Sequence, residues 1–178
     1  EESGKIGVEF LTGTETGKLQ PHYHPIESML IKYPNIDGTF GDFHRIRYMD
    51  IDKIKKIVSS SLSGFTPKSS SKKVMRYTQP AKEEPRLYFS KYLKWTGIVE
   101  DTSMPLILTE GEMKGNAACF HGIPTIPMGG VWNWASKTKE SIEDFKLIEW
   151  KERKVIILFD SDVASNPKVK KALYRLCD

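Results

Sequence analysis

The sequence predicts an α/β protein, with a parallel sheet and crossover helices in its second half, preceded by a smaller, mainly β (α+β) basic subdomain. Three observations carry this reading. From Pro105 onward, short apolar runs alternate with stretches of helical spacing, the order in which parallel strands are connected. Two of those runs, "PLILTE" and "VIILFD", are apolar over the length of a strand, which suits strands covered on both faces. Before residue 100 the chain is basic instead: between Lys53 and Lys94 stand eleven Lys or Arg against two acids, Glu83 and Glu84. The expected division is an N-terminal subdomain 1–100 and a second domain 101–178.

Taken in order, "GTETGK" is only loosely similar to a phosphate loop, lacking the full Gly spacing and the Lys-Ser/Thr ending, and is set aside. His22 and His24 in "PHYHP" are read as bystanders rather than metal ligands, because two histidines flanked by prolines in an unpatterned loop are a weak signal. Met29 to Tyr33 and Phe43 to Met49 read as a hairpin joined by the turn-rich Pro-Asn-Ile-Asp-Gly. Residues 59–73, dense in Ser, Gly and Lys, bury too little to offset chain entropy and are expected to form a mobile loop. Order resumes with "VMRYTQPAKEEPRLYF".

In the second half, the strand ending at Glu110 leads into a helix whose apolar stripe is expected at Met113, Ala117 and Phe120. "IPTIPM" is a short second strand, "GGVWNWASKT" a loop, and Ser141 the start of a possible helix. A third strand ends in Asp160-Ser161-Asp162. Asn166 then caps a last helix with Pro167 at its first position and Val169, Leu173 and Leu176 as its apolar stripe.

No apolar run approaches the roughly 18 residues of a membrane span, so no membrane partner is expected. Two cysteines, Cys119 and Cys177, are too few for a four-cysteine zinc site and point away from a disulfide framework, which makes a reducing, cytoplasmic setting the expectation. The chain opens on Glu1 and shows no leader-like segment, so it is expected to be part of something longer.

Glu110 and the Asp160/Asp162 pair share one design, acids placed where an apolar strand ends. If both strands are parallel members of one sheet, their carboxyl ends lie on the edge where ligands bind in open α/β sheets. Asp160 and Asp162 are expected on one side of an extended segment. Clustered carboxylates repel unless a cation neutralises them, and with no His or Cys beside these acids in sequence, Mg²⁺ or Mn²⁺ is the expected ion.

An apolar strand ending in Glu-Gly, a Gly-containing second strand and a third ending in Asp-x-Asp resemble the TOPRIM fold of DnaG-type primases, topoisomerases and some nucleases. The wording of "TEGEMKGNAACFHGIP", "GGVWNW" and "VIILFDSDVASNPKVKKAL" is similar to the TOPRIM-like domain of primase and primase-helicase proteins of phages, plasmids and other mobile elements. Upstream, "FHRIRY" and "VMRYTQP…PRLYF" resemble the segment that precedes TOPRIM in those proteins.

The resemblance implies a primase-type nucleotidyltransferase that makes primers on a single-stranded DNA template from nucleoside triphosphates, with a fused or associated helicase. Glu110 matches the family's catalytic glutamate, and Asp160 and Asp162 its metal-binding pair. Lys114, one helical turn beyond Glu110, is placed to contact phosphate. Arg45, Arg47, Lys73, Arg76 and Arg86, among Tyr77, Tyr88 and Phe89, are the expected template-holding residues. Departures are that DnaG-type enzymes carry an acid where Lys114 stands, that their later acidic motif has no room before Asp178, and that their zinc module is missing, so the second domain is expected to be truncated. Alternative readings are a non-catalytic DNA-binding module of a helicase protein, a TOPRIM nuclease, and a haloacid-dehalogenase-like phosphatase using "FDSDVAS".

Overall fold

A computed structural model of the chain describes residues 6–60, 75–138 and 140–177. Most of the expected loop, residues 61–73, and with it Lys73, lies outside the described residues. The protein is a mixed α/β chain with two separate sheets, and it divides into two compact units, Glu1–Lys32 with Asp42–Glu83 and Tyr33–Gly41 with Glu84–Asp178. Residues 84–100 thus belong with the second unit.

The first unit is built on an antiparallel sheet of order β1-β2-β3-β4, from β1 (Val8–Leu11), β2 (Ser28–Pro34), β3 (Phe40–Tyr48) and β4 (Tyr77–Thr78). Helix α1 (Gly13–Leu19) follows β1 and contains the "GTETGK" stretch. A capping box starts it: Glu15 N donates to Thr12 Oγ1 at 3.3 Å and Thr12 N donates to Glu15 Oε2 at 2.8 Å. Helix α2 (Ile51–Ser60) runs into the expected loop, so Ser59 and Ser60 are helical. Tyr23, Ile26, Leu30, Ile46, Tyr48 and Ile54 make this unit's core. The expected hairpin forms, with β3 starting at Phe40, three residues before the expected Phe43, because Asn35 N donates to Thr39 O at 2.8 Å and closes the turn.

The second unit holds α3 (Trp95–Ile98), β5 (Leu106–Glu110), α4 (Glu112–Phe120), β6 (Thr125–Met128), a 3₁₀ turn at Glu143–Leu147, β7 (Val155–Leu158), a second 3₁₀ turn at Ser161–Ala164, and α5 (Pro167–Cys177). Its sheet is parallel, of order β6-β5-β7, with Leu108 opposite both Ile126 and Ile157. Leu87, Phe89, Trp95, Leu106, Leu108, Ile126 and Met128 lie at the centre of its core. The possible helix from Ser141 is only the first 3₁₀ turn. Asn166 caps α5 as expected, its Oδ1 accepting from Lys168 N at 3.1 Å.

Two expectations fail here for reasons of packing. Helix α4 buries Glu112, Gly115, Asn116 and Cys119, while Met113 and Phe120 of the expected stripe are exposed. Gly115 is the cause, because a Cβ there would stand 2.5 Å from Pro127 Cγ, so the helix lies against β6 on its small-residue face. Strand β7, expected to be covered on both faces, is an edge strand with Val155, Ile156 and Leu158 exposed.

Candidate functional site

The carboxyl ends of β5 and β7 are neighbours, because the two strands pair in parallel register from Leu106 opposite Val155 to Thr109 opposite Leu158. Thr109 Oγ1 adds a side-chain link to Leu158 O at 2.7 Å. Glu110 is the last residue of β5, and the chain turns into α4 through Gly111, whose φ of +83° is open to glycine and strained for other residues. Gly111 N donates to Met128 O at 2.8 Å, which holds that turn against the end of β6.

Asp160 follows β7 and is the N-cap of the second 3₁₀ turn. Its backbone N–H donates to Glu110 Oε1 at 3.2 Å, so the two acids are brought together across the strand pair. Lys114, on the first turn of α4, reaches back over them. Its Nζ donates to Asp160 Oδ1 and stands 4.0 Å from Glu110 Oε1. Burial pushes the Glu110 carboxyl above the usual range, the neighbouring Asp160 carboxylate adds to that, and the Asp160 N–H and the Lys114 charge oppose it. The hydrogen bond from Lys114 holds Asp160 below its usual range.

Asp162 does not join this pair. Because β7 ends at Leu158 and Ser161–Ala164 is a 3₁₀ turn, the extended spacing that would put Asp160 and Asp162 on one side is absent. Asp162 Oδ2 instead lies 3.5 Å from Asn166 Nδ2. Among the described residues, no three His, Cys, Asp or Glu side chains are grouped to hold a metal ion. A Mg²⁺ site nevertheless needs only one or two carboxylates when substrate phosphates complete its shell. Glu110 and Asp160 are such a pair, already bridged by a cationic group, and they fit an ion completed by phosphate rather than an enclosed protein cage.

Glu112, two residues beyond Glu110, is buried and accepts from Tyr33 Oη at 2.6 Å. This partner is invisible in the sequence, because Tyr33 stands 79 residues away along the chain.

Of the expected template-holding cations, Arg45 and Arg47 lie on β3 and Arg76 beside its partner strand β4 in the first unit, and Arg86 belongs to the second unit. Arg45 is buried, with its guanidinium 5.0 Å from the Tyr77 ring centroid, and Arg47 is half-buried. Arg86 Nε donates to both carboxylate oxygens of the buried Asp144 at 2.9 and 2.8 Å, so it neutralises an interior acid. That acid also accepts from Leu87 N at 2.7 Å. Arg76 is exposed. Tyr88 and Phe89 are core residues and offer no face for stacking. His22 lies 3.1 Å from Gln79 O through Nε2, and the His24 ring packs near Tyr48. Among the described residues no helix is long and apolar enough to cross a membrane.

Residues 94–178 match the family model described as "Domain of unknown function (DUF3854)". The match begins just before α3 and takes in the whole parallel sheet with Glu110, Lys114 and Asp160. No curated protein and no solved structure matches the chain.

Proposed function

We propose that this chain is the TOPRIM-like nucleotidyltransferase core of a mobile-element replication protein, making primers from nucleoside triphosphates on a single-stranded DNA template with Mg²⁺ or Mn²⁺. One observation carries the reading: Glu110 and Asp160 stand together at the carboxyl ends of adjacent parallel strands. That edge is where an open α/β sheet binds its ligands. Glu110 and Asp160 would hold the ion. When bound, such an ion neutralises triphosphate charge and activates the attacking hydroxyl.

The chain's own groups prepare the site for that load. The partly buried Glu110 resists charging beside Asp160, which makes an incoming cation favourable. Lys114 has a half-exposed side chain, so its ammonium is free to exchange the carboxylates for a phosphate oxygen. Arg76, which is exposed, would meet the template backbone. An associated helicase belongs to the same proposal.

A second reading has its own observation. The Lys114 ammonium already does the neutralising work of a cation at Asp160, as expected of a DNA-binding module that kept the fold without the chemistry. An aspartate-nucleophile phosphatase is less supported, since Asp162 faces Asn166 rather than the space beside Asp160.

Calorimetric titration with Mn²⁺ separates the two. The catalytic reading expects saturable binding that Asp160→Asn removes and Lys114→Met strengthens, because the competing ammonium is gone. No Mn²⁺ binding by either the unaltered chain or Lys114→Met, alongside salt-sensitive binding of single-stranded DNA, would establish the binding-only module.

A further inference from the structure

We infer that the cavity beside α5 is a nucleotide-binding site, one that takes a nucleobase against Trp132 and its phosphate against Lys171 and Arg175. The cavity has a volume of about 660 Å³ and is lined by Trp132, Trp134, Phe145, Lys171, Arg175 and Leu176 among others. That size falls within the roughly 300–1,000 Å³ of small-molecule sites. It shares no lining residue with the Glu110, Lys114 and Asp160 cluster, and the inference does not depend on the chain being catalytic.

One wall is an aromatic platform. The Trp132 and Trp134 rings lie 6.4 Å apart at 25° to one another, with Trp134 buried behind and Trp132 43% exposed. Trp134 is a core residue of the second unit, so the platform is anchored rather than mobile. A flat indole face left in water is where a second π-system gains most by stacking.

The other wall is cationic. Helix α5 carries Lys168, Lys170, Lys171 and Arg175 and no acid. Lys171 and Arg175 are spaced i, i+4, so they stand side by side on one face, where like charges repel. Both are exposed, and neither has an ion-pair partner among the described residues. An anion between them relieves that repulsion, and the planar guanidinium suits a phosphate's two oxygens. A ligand with both a planar aromatic ring and a phosphate satisfies both walls; an acidic peptide satisfies only one.

The test is an NMR titration of the whole chain, in the absence of divalent metal, with ATP in one arm and a short thymidine oligonucleotide in the other. Saturable shifts of the Trp132 indole N–H and of the Lys171 and Arg175 backbone amides are expected with at least one of them, the amides serving as the readout in the Trp132→Ala variant. Binding of ATP alone identifies a free nucleotide as the ligand, and binding of the oligonucleotide alone identifies a strand. Trp132→Ala and the double change Lys171→Glu/Arg175→Glu each alter exposed side chains, so both variants are expected to fold, and each should weaken binding about tenfold or more. Glu110→Gln should leave it unchanged. Absence of indole shifts with both ligands, or binding that neither variant weakens, would overturn the assignment.

Discussion

Strand β5 runs Leu-Ile-Leu-Thr into Glu110-Gly111-Glu112, and strand β7 runs Val-Ile-Ile-Leu, then through Phe159, into Asp160-Ser161-Asp162, so their ends look interchangeable in sequence. They are adjacent and parallel, yet they fare differently. Central β5 has Leu106 and Leu108 buried, whereas β7 lies at the sheet edge with Leu158 57% exposed. Their acids diverge in the same way. The first acid of each pair meets the other at the carboxyl edge, while the second goes where local packing sends it, Glu112 inward to Tyr33 and Asp162 outward to Asn166. The pattern of an apolar run ending in acids therefore locates one acid per strand, and nothing in it locates the second.

The largest expected contrast lies in the strands themselves. Leu106→Ala should cost about 2–5 kcal/mol by leaving a cavity in the core of the second unit. Leu158→Ala should cost about 0.5 kcal/mol or less, as for an exposed side chain. Urea denaturation measures both. Equal losses would mean that something covers β7 in solution.

The next contrast sets the first acid against the second. In the full-length protein with template, nucleotides and Mg²⁺, Glu110→Gln should lower primer synthesis on the order of a hundredfold or more, the scale of a lost electrostatic catalytic group. Glu112→Gln should retain most activity, because a glutamine Oε1 can still accept from Tyr33 Oη. Near-normal synthesis by Glu110→Gln would break the catalytic reading, and strong loss in Glu112→Gln would show that the buried bond also positions the edge.

The smallest contrast is in protonation. Glu110 titrates above its usual range, so its folded form holds the proton more tightly than the unfolded chain does. Its contribution to stability is present below the ordinary glutamate pKa and fades as pH rises through the raised value. Asp160 works the other way: its contribution is present above the ordinary aspartate range and is lost as pH falls through the depressed value. Carboxyl-carbon NMR of Lys114→Met should find both groups titrating higher than in the unaltered chain, since one cation favours both charged forms. Unchanged titrations would show that Lys114 does not bridge the pair in solution.

Much of this was legible in the residues alone. Alternating apolar runs and helical spacing mark out β5, α4, β6, β7 and α5, because strand and helix impose their own periods on any chain that must bury one face. Local chemistry also determined the Asn166 cap on α5 and the hairpin turn between β2 and β3. These features depend on neighbours within a few positions, so the sequence carries them unaided. Tertiary structure alone decided which strand became the edge, which face of α4 turned inward against Pro127, and which charges were spent internally, as Arg86 is on Asp144 and Lys114 on Asp160. Each of those outcomes depends on a partner distant in sequence, and a charge or an apolar side chain read by itself does not say whether water, a ligand or another part of the same chain will meet it.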